Sequence, residues 1–357
     1  MIKTPLYSKL KKLNANFADI GNYIIPINYG NAQDEINKVR NELGLIDLSN
    51  RGKLVFSGKE HLKLLQGMLT NDIIELENDK GIYANLLTVK GKMLSDMRVF
   101  KSNDSVYMDL EPGMNPEIKN IFEKYKLSYK ADILDVTNQY GLLHICGPEC
   151  RSFIQTIFNI DNNSFEELNH EEKENIRLMK INRTGETGYD ILFKNEHSEN
   201  IWNRINNSNY VITPFGYDSL ETLRIEAGIP VYGKDMDDST IPIEADLWHS
   251  LNFEKGCYIG QEVIARIKWR GKVNWHLIGL IVDGNELPLK GDKLSVNGKN
   301  IGRITSSTYS PALKSIIALG YIRREYKDYR DKVNLNLEND IQTTAQISDK
   351  TFYNNFI

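Results

Sequence analysis

From about Trp275 to its end the chain carries no helical period, and that stretch restricts the fold more than any other. Leu277-Ile-Gly-Leu-Ile-Val282, Lys293-Leu-Ser-Val296, Ile301-Gly-Arg-Ile304, Ile316-Ile-Ala-Leu-Gly-Tyr321, Val333-Asn-Leu-Asn-Leu337 and Thr343-Thr-Ala-Gln-Ile347 are short, strand-like runs separated by turn residues. Asn297-Gly298 between two of them is a strong type I′ hairpin signal. Strands this short and this close in sequence bury their apolar faces best against one another. Residues 276–357 are therefore expected to form a separate all-β domain, a small barrel or sandwich.

Residues 1–275 mix two periods and are expected to form an α+β core. Lys53-Leu-Val-Phe-Ser57, Met97-Arg-Val-Phe100, Val106-Tyr-Met-Asp-Leu110 and Gly141-Leu-Leu-His-Ile-Cys146 read as strands. Glu60 to Leu69 and Tyr217 to Ala227 have the three-to-four spacing of half-buried helices, the second ended by Gly228 and Pro230. No period of 20 to 50 residues recurs, which argues against a solenoid or propeller. With 357 residues, 41% of them hydrophobic, the chain can bury more than one core. A net charge of -4 argues against broad nucleic-acid or anionic-membrane binding. No apolar run approaches the roughly 18 to 20 residues that span a bilayer. The N-terminal Met1-Ile-Lys-Thr-Pro-Leu-Tyr7 lacks a basic region followed by an apolar one, and only Cys146, Cys150 and Cys257 are present. These features predict a cytoplasmic protein without a disulfide framework.

Three segments carry chemistry. In Glu254-Lys-Gly-Cys-Tyr-Ile-Gly-Gln-Glu-Val-Ile-Ala-Arg266 two glycines bracket Cys257, and Lys255 stands two residues before it; a neighbouring ammonium would raise the thiolate fraction of that cysteine. The bland alternative is a glycine-bracketed turn into a helix starting near Gly260, with Cys257 as filler. In Arg183-Thr-Gly-Glu-Thr-Gly-Tyr-Asp-Ile-Leu192 the carboxylate of Glu186 lies between two glycines; it could take a planar N–H pair or simply be solvated in a turn. Tyr83 to Arg98 reads as two strands joined by a Lys-Gly-Lys turn, with Asp96 inside the second, where it is either a site carboxylate or an edge residue. Two further features read as structure: Cys146-Gly-Pro-Glu-Cys150 as core and helix start, and the basic run Arg266 to Lys272 as a solvated face.

Taken in order, Thr4-Pro-Leu-Tyr7, Gly44-Leu-Ile-Asp-Leu-Ser49, Thr70-Asn-Asp72, Thr184-Gly-Glu-Thr-Gly-Tyr-Asp190, Thr222-Leu-Arg-Ile-Glu-Ala-Gly228, Ile241-Pro-Ile-Glu-Ala245 and Ser310-Pro-Ala-Leu313 resemble the folate-binding aminomethyltransferase family of the glycine-cleavage T-protein, over nearly the whole chain. Lys255-Gly-Cys-Tyr-Ile-Gly-Gln-Glu262 resembles the signature of a sister branch, the YgfZ-type folate proteins that support iron–sulfur cluster assembly or repair. The resemblance implies two intertwined α+β domains, one ferredoxin-like, plus a C-terminal β-barrel, in a ring around a central folate channel. It implies Asp96 as the catalytic aspartate, Glu186 as the pterin carboxylate, and Tyr83 and Arg224 as channel residues. Cys257 is the candidate working thiol, and Lys255 a candidate cofactor contact. The T-protein has an Asn-Ala pair where this chain has Leu110-Glu-Pro-Gly113, and a tyrosine where this chain has Arg183. The expectation is a YgfZ-type, tetrahydrofolate-binding protein that supports iron–sulfur enzymes, with assembly proteins or client enzymes as partners. The alternative is a folate-dependent aminomethyl or methyl transferase.

Overall fold

The computed structural model describes residues 1–161, 163–329, 331–337 and 341–356. A three-stranded sheet, ordered Ile2–Lys3, Tyr23–Asn28, Asn16–Ile20, opens the chain. The helix Ala32–Asn41 follows, started by the Asn31 side chain, which accepts from the Gln33 N–H at 2.8 Å. Leu43–Asp47 then enters a six-stranded sheet that the chain at once leaves, to return only at Tyr140–Cys146. Between the two visits it builds a five-stranded sheet, ordered Lys80–Leu87, Met93–Lys101, Ser105–Leu110, Gly52–Ser57, Asp132–Asp135. This excursion is what interleaves the two α+β units.

The five-stranded sheet has the ferredoxin-like sequence of strand, helix, strand, strand, helix, strand, with His61–Met68 and Asn115–Tyr125 as its helices and Lys80–Leu87 as an added edge. All its pairings are antiparallel. Alternation sends Leu54, Phe56, Ala84, Leu86, Met97, Val99, Met108 and Leu110 to the face covered by those helices. The other face turns toward the six-stranded sheet; there Val55, Phe100 and Tyr107 pack against Leu142, Met179 and Leu192, and most of the rest of that face is polar.

The last six strands, starting at Trp275–Val282, close into a barrel around Leu280, Leu294, Ile301, Ile304, Ile322 and Leu335. Asn297 and Gly298 both have positive φ, 50° and 76°, as the type I′ turn between two barrel strands requires. The strand expected at 301–304 extends over Lys299–Ser310 because a bulge near Ile304 lets it bend with the barrel wall. It packs on the helix Tyr217–Glu226 through paired hydroxyls of Thr222 and Thr308, and Ser310 donates to Glu226.

Candidate active site

Strand pairing assembles the polar face in rows. Tyr83 lies opposite Arg98, Arg98 opposite Asp109, and Asp109 opposite Lys53, one row across four strands. Asn85 and Asp96 form the next row on the same face, and Glu111 and Arg51 continue it just past the strand ends. Arg51 Nε donates to Asp109 Oδ1 at 2.6 Å, and its Nη1 to Glu111 Oε1 at 2.8 Å. Arg183 bridges to the other sheet, donating to Asp109 Oδ2 at 2.8 Å and to Asp190 Oδ2 at 2.6 Å; Asp190 in turn holds His144 Nδ1 at 2.8 Å. Burial alone would raise the Asp109 carboxyl, but Arg51, Arg183 and Arg98 hold it well below the usual carboxylate range. Burial lowers the His144 pKa despite Asp190. The two α+β units are thus joined by a buried, charge-alternating network.

A cavity of about 430 Å³ opens beside this network, a size suited to a small molecule. Tyr83, Asp96, Arg98, Glu111, Tyr217 and Arg224 help to line it. A second cavity, of about 280 Å³, shares Tyr83, Arg98, Ile229 and Pro230 with the first and reaches His249 and Lys350. Asp96 is 7% exposed and accepts a hydrogen bond from the Tyr83 hydroxyl. Burial first, and the Glu111 charge second, raise its carboxyl from 3.8 to about 6, against the Tyr83 hydrogen bond and the Arg98 and Arg51 charges. A carboxyl poised there can give or take a proton near neutral pH.

Tyr83, Asp96 and Arg224 therefore meet at one cavity, while the other expected site residues do not. Arg224 forms part of the wall, but its guanidinium is already engaged by Glu221, by Asp235 Oδ2 at 2.6 Å and by Ser306 Oγ at 2.7 Å. It clamps the barrel to the core rather than waiting for a ligand carboxylate. Glu186 is fully buried elsewhere, beside Arg40 Nε at 3.7 Å and the Asn355 amide at 3.2 Å, and lies outside the Asp96 cavity. Its turn is held by the C-terminal segment, through the Asn355 N–H on the Gly185 carbonyl, and this position sets Glu186 apart from the wall that carries Asp96.

Lys255 also lies outside both cavities. Its Nζ donates to the carbonyls of Gln66, Leu69 and Asn71 at 2.8, 2.7 and 2.7 Å, stapling the C-terminal end of the helix His61–Met68. Burial lowers its pKa to about 8. Its three N–H donors are thus committed to backbone carbonyls, and Cys257 is exposed and lies outside both cavities. Sequence reasoning passed over Arg98, Glu111 and Arg51. The available signal was a charge inside each of two apolar strands, Arg98 in one and Asp109 in the other, since a strand accepts such residues where one face turns to a polar interface. Among the described residues no group of three or more His, Cys, Asp or Glu is arranged to hold a metal ion.

Comparison with known proteins agrees with this architecture. Residues 6–255 match the family described as the GCVT N-terminal domain, and residues 276–354 the glycine cleavage T-protein C-terminal barrel domain. A protein of Caldanaerobacter subterraneus subsp. tengcongensis named aminomethyltransferase is 29% identical over 98% of this chain and 96% of its own length. One of Staphylococcus epidermidis with the same name is 30% identical over 93% of each. The crystal structure of the glycine cleavage system aminomethyltransferase T from Bartonella henselae, 20% identical, superposes with a TM-score of 0.91 over 99% of both chains, so the fold is shared. With both domains matched in order and nearly the whole chain covered, the protein belongs to the glycine cleavage T-protein family.

Proposed function

We propose that this chain is a folate-dependent one-carbon transferase, with an aminomethyl group as the unit moved and a reduced folate such as tetrahydrofolate as its acceptor. One observation carries the reading: Asp96 is buried in the wall of a ligand-sized cavity, oriented by Tyr83 and raised to about 6. The cavity suits a flat heterocycle, with the Tyr83 ring and the apolar Leu48, Leu220 and Val231 in its walls. The adjoining cavity past Tyr83 and Arg98 gives room for a longer tail. A bound folate would supply ring nitrogens able to take up a one-carbon unit. Asp96 would accept a proton from such a nitrogen as its new bond to the aminomethyl carbon forms and that carbon's bond to its donor breaks, and could give that proton to the donor group or to the amine as each departs. Tyr83 fixes the carboxyl, and the Arg51–Asp109–Arg183 network keeps that wall rigid.

The names of the relatives support the transferase over the iron–sulfur support role, which rested on the octapeptide Lys255 to Glu262. The structure gives that octapeptide a backbone task instead. Lys255 staples a helix end, and Gly260, at φ +86°, packs so that a Cβ would lie 2.6 Å from the Thr88 carbonyl oxygen. No helix among the described residues is long and apolar enough to cross a membrane, and a cytoplasmic location is part of the proposal. Calorimetric titration with 5-formyltetrahydrofolate tests the folate half: the parent and Asp96→Asn should bind, and absence of binding by the parent overturns it. Ammonia release from an aminomethyl-lipoyl carrier in the presence of tetrahydrofolate tests the transfer half, with parent activity and an inactive Asp96→Asn expected.

A further inference from the structure

The cavity holds a second carboxylate that the reading above leaves idle. The strands Met93–Lys101 and Ser105–Leu110 pair Arg98 with Asp109; Asp96 lies two residues before Arg98 and Glu111 two residues after Asp109, just past its strand's end. Both therefore face the cavity from one sheet surface. Their circumstances differ. Asp96 Oδ2 is taken by the Tyr83 hydroxyl. Glu111 is anchored at Oε1 by Arg51 Nη1 at 2.8 Å, and Arg51 is itself fixed on Asp109 at 2.6 Å. Among the described residues no donor reaches Glu111 Oε2, and the side chain is 19% exposed. A carboxylate pinned through one oxygen and open at the other, on a cavity wall, is a preorganised acceptor for a cationic N–H group.

We propose that Glu111 is the amine-recognition residue of this site: its open oxygen accepts an N–H of the ammonium or iminium carried by the one-carbon donor, while Asp96 serves the folate nitrogen. This rests on the transferase reading and narrows it. A carboxylate acceptor selects units that bear N–H, so an aminomethyl group is favoured over a bare methyl on sulfur or oxygen, which offers that oxygen no donor. The two carboxylates thereby divide the work, one binding and one moving protons.

The test uses the full chain and methylammonium chloride as the probe, titrated alone and in the presence of saturating 5-formyltetrahydrofolate. Tetramethylammonium, of equal charge and without N–H, is the control. Methylammonium should bind at least tenfold more tightly than tetramethylammonium. Glu111→Gln should weaken methylammonium by roughly ten- to a hundredfold, the loss of one charge-assisted hydrogen bond, and leave folate affinity within about twofold. Glu111→Asp, which keeps the charge, should recover part of that affinity, and circular dichroism shows whether each variant is folded. The proposal is overturned if the parent does not bind methylammonium, if Glu111→Gln leaves the affinity unchanged, or if amine and folate affinities fall together, since Glu111 would then only be holding Arg51. A parent that binds methylammonium through Glu111 but binds no folate would sink the transferase reading and leave the amine site standing.

Discussion

The hairpin from Tyr83 to Arg98 and the octapeptide from Lys255 to Glu262 carry comparable signals in the sequence, yet the fold uses them in opposite ways. In the hairpin the polar side chains Tyr83, Asp96 and Arg98 project into a cavity from antiparallel strands whose register shifts only beyond them, at Leu86 and Leu87. In the octapeptide the backbone does the exacting work: Gly260 needs a left-handed conformation, Lys255 is buried to hold three carbonyls, and Cys257 is exposed. A dense motif thus reports a constraint without saying whether the constraint is on atoms that meet a ligand or on the path of the chain. Only the surroundings of each side chain separate the two.

The sharpest break between the regions is in turnover. Asp96→Asn removes a proton carrier and keeps the side-chain volume, so transfer should fall by about 10² to 10⁴-fold with the fold intact, as loss of a general acid–base group does. Steady-state ammonia release reads this out. In the parent, activity should rise with pH through about 6 as the Asp96 carboxyl ionises. A variant with parental turnover would move the chemistry away from this hairpin altogether.

The same residue should show a cost in stability. The Asp96 carboxyl is raised from 3.8 to about 6 on folding, so between those values the unfolded chain has ionised while the folded one has kept its proton. Its contribution is fully present below about pH 4 and is lost as the pH rises through about 6. At pH 7.5 Asp96→Asn should therefore be more stable than the parent, by up to about 3 kcal/mol, and the gap should close toward pH 4. Urea melts at the two pH values check it; a variant less stable at pH 7.5 would mean that the charged form is well solvated in the cavity.

How much of this was legible follows the same divide. The barrel strands, the type I′ turn and the placement of Asp96 inside a strand were all readable, because period and turn chemistry are local. Asp96 with Tyr83 could be taken from the hairpin, since strand pairing sets their spacing. Glu111 and Arg51 could not, because they join the row only where Gly52 and Leu110 pair, 58 residues apart in the chain. The position of Glu186 was illegible for a related reason: it depends on Arg40 and on Asn355, which the chain brings from near its two ends.

Within the octapeptide the two glycines should separate cleanly. Gly260→Ala forces an L-residue to φ +86° with its Cβ 2.6 Å from the Thr88 carbonyl, and should cost about 2 kcal/mol or more in urea denaturation. At Gly256 an added Cβ meets nothing within 4 Å, and alanine there should change stability by less than about 0.5 kcal/mol. Equal effects at both positions would show that the turn is not held by its contact with Thr88.

The smallest expected effect is the one that bears on the rival function. Cys257 is exposed, whereas Cys146 and Cys150 are buried, with burial pushing the Cys146 thiol well up and that of Cys150 to about 12. Iodoacetamide should therefore label Cys257 first, as peptide mass spectrometry would show. Exposure makes a thiol reachable without making it useful, since Lys255, the nearby cation, is turned onto three carbonyls. Cys257→Ser should leave stability within about 0.5 kcal/mol of the parent, folate affinity unchanged and aminomethyl transfer intact. If the variant instead transfers normally but fails to restore aconitase activity in cells lacking the native gene, the thiol has a task that turnover does not report. The octapeptide would then be a second working region beside the hairpin, not a backbone device alone.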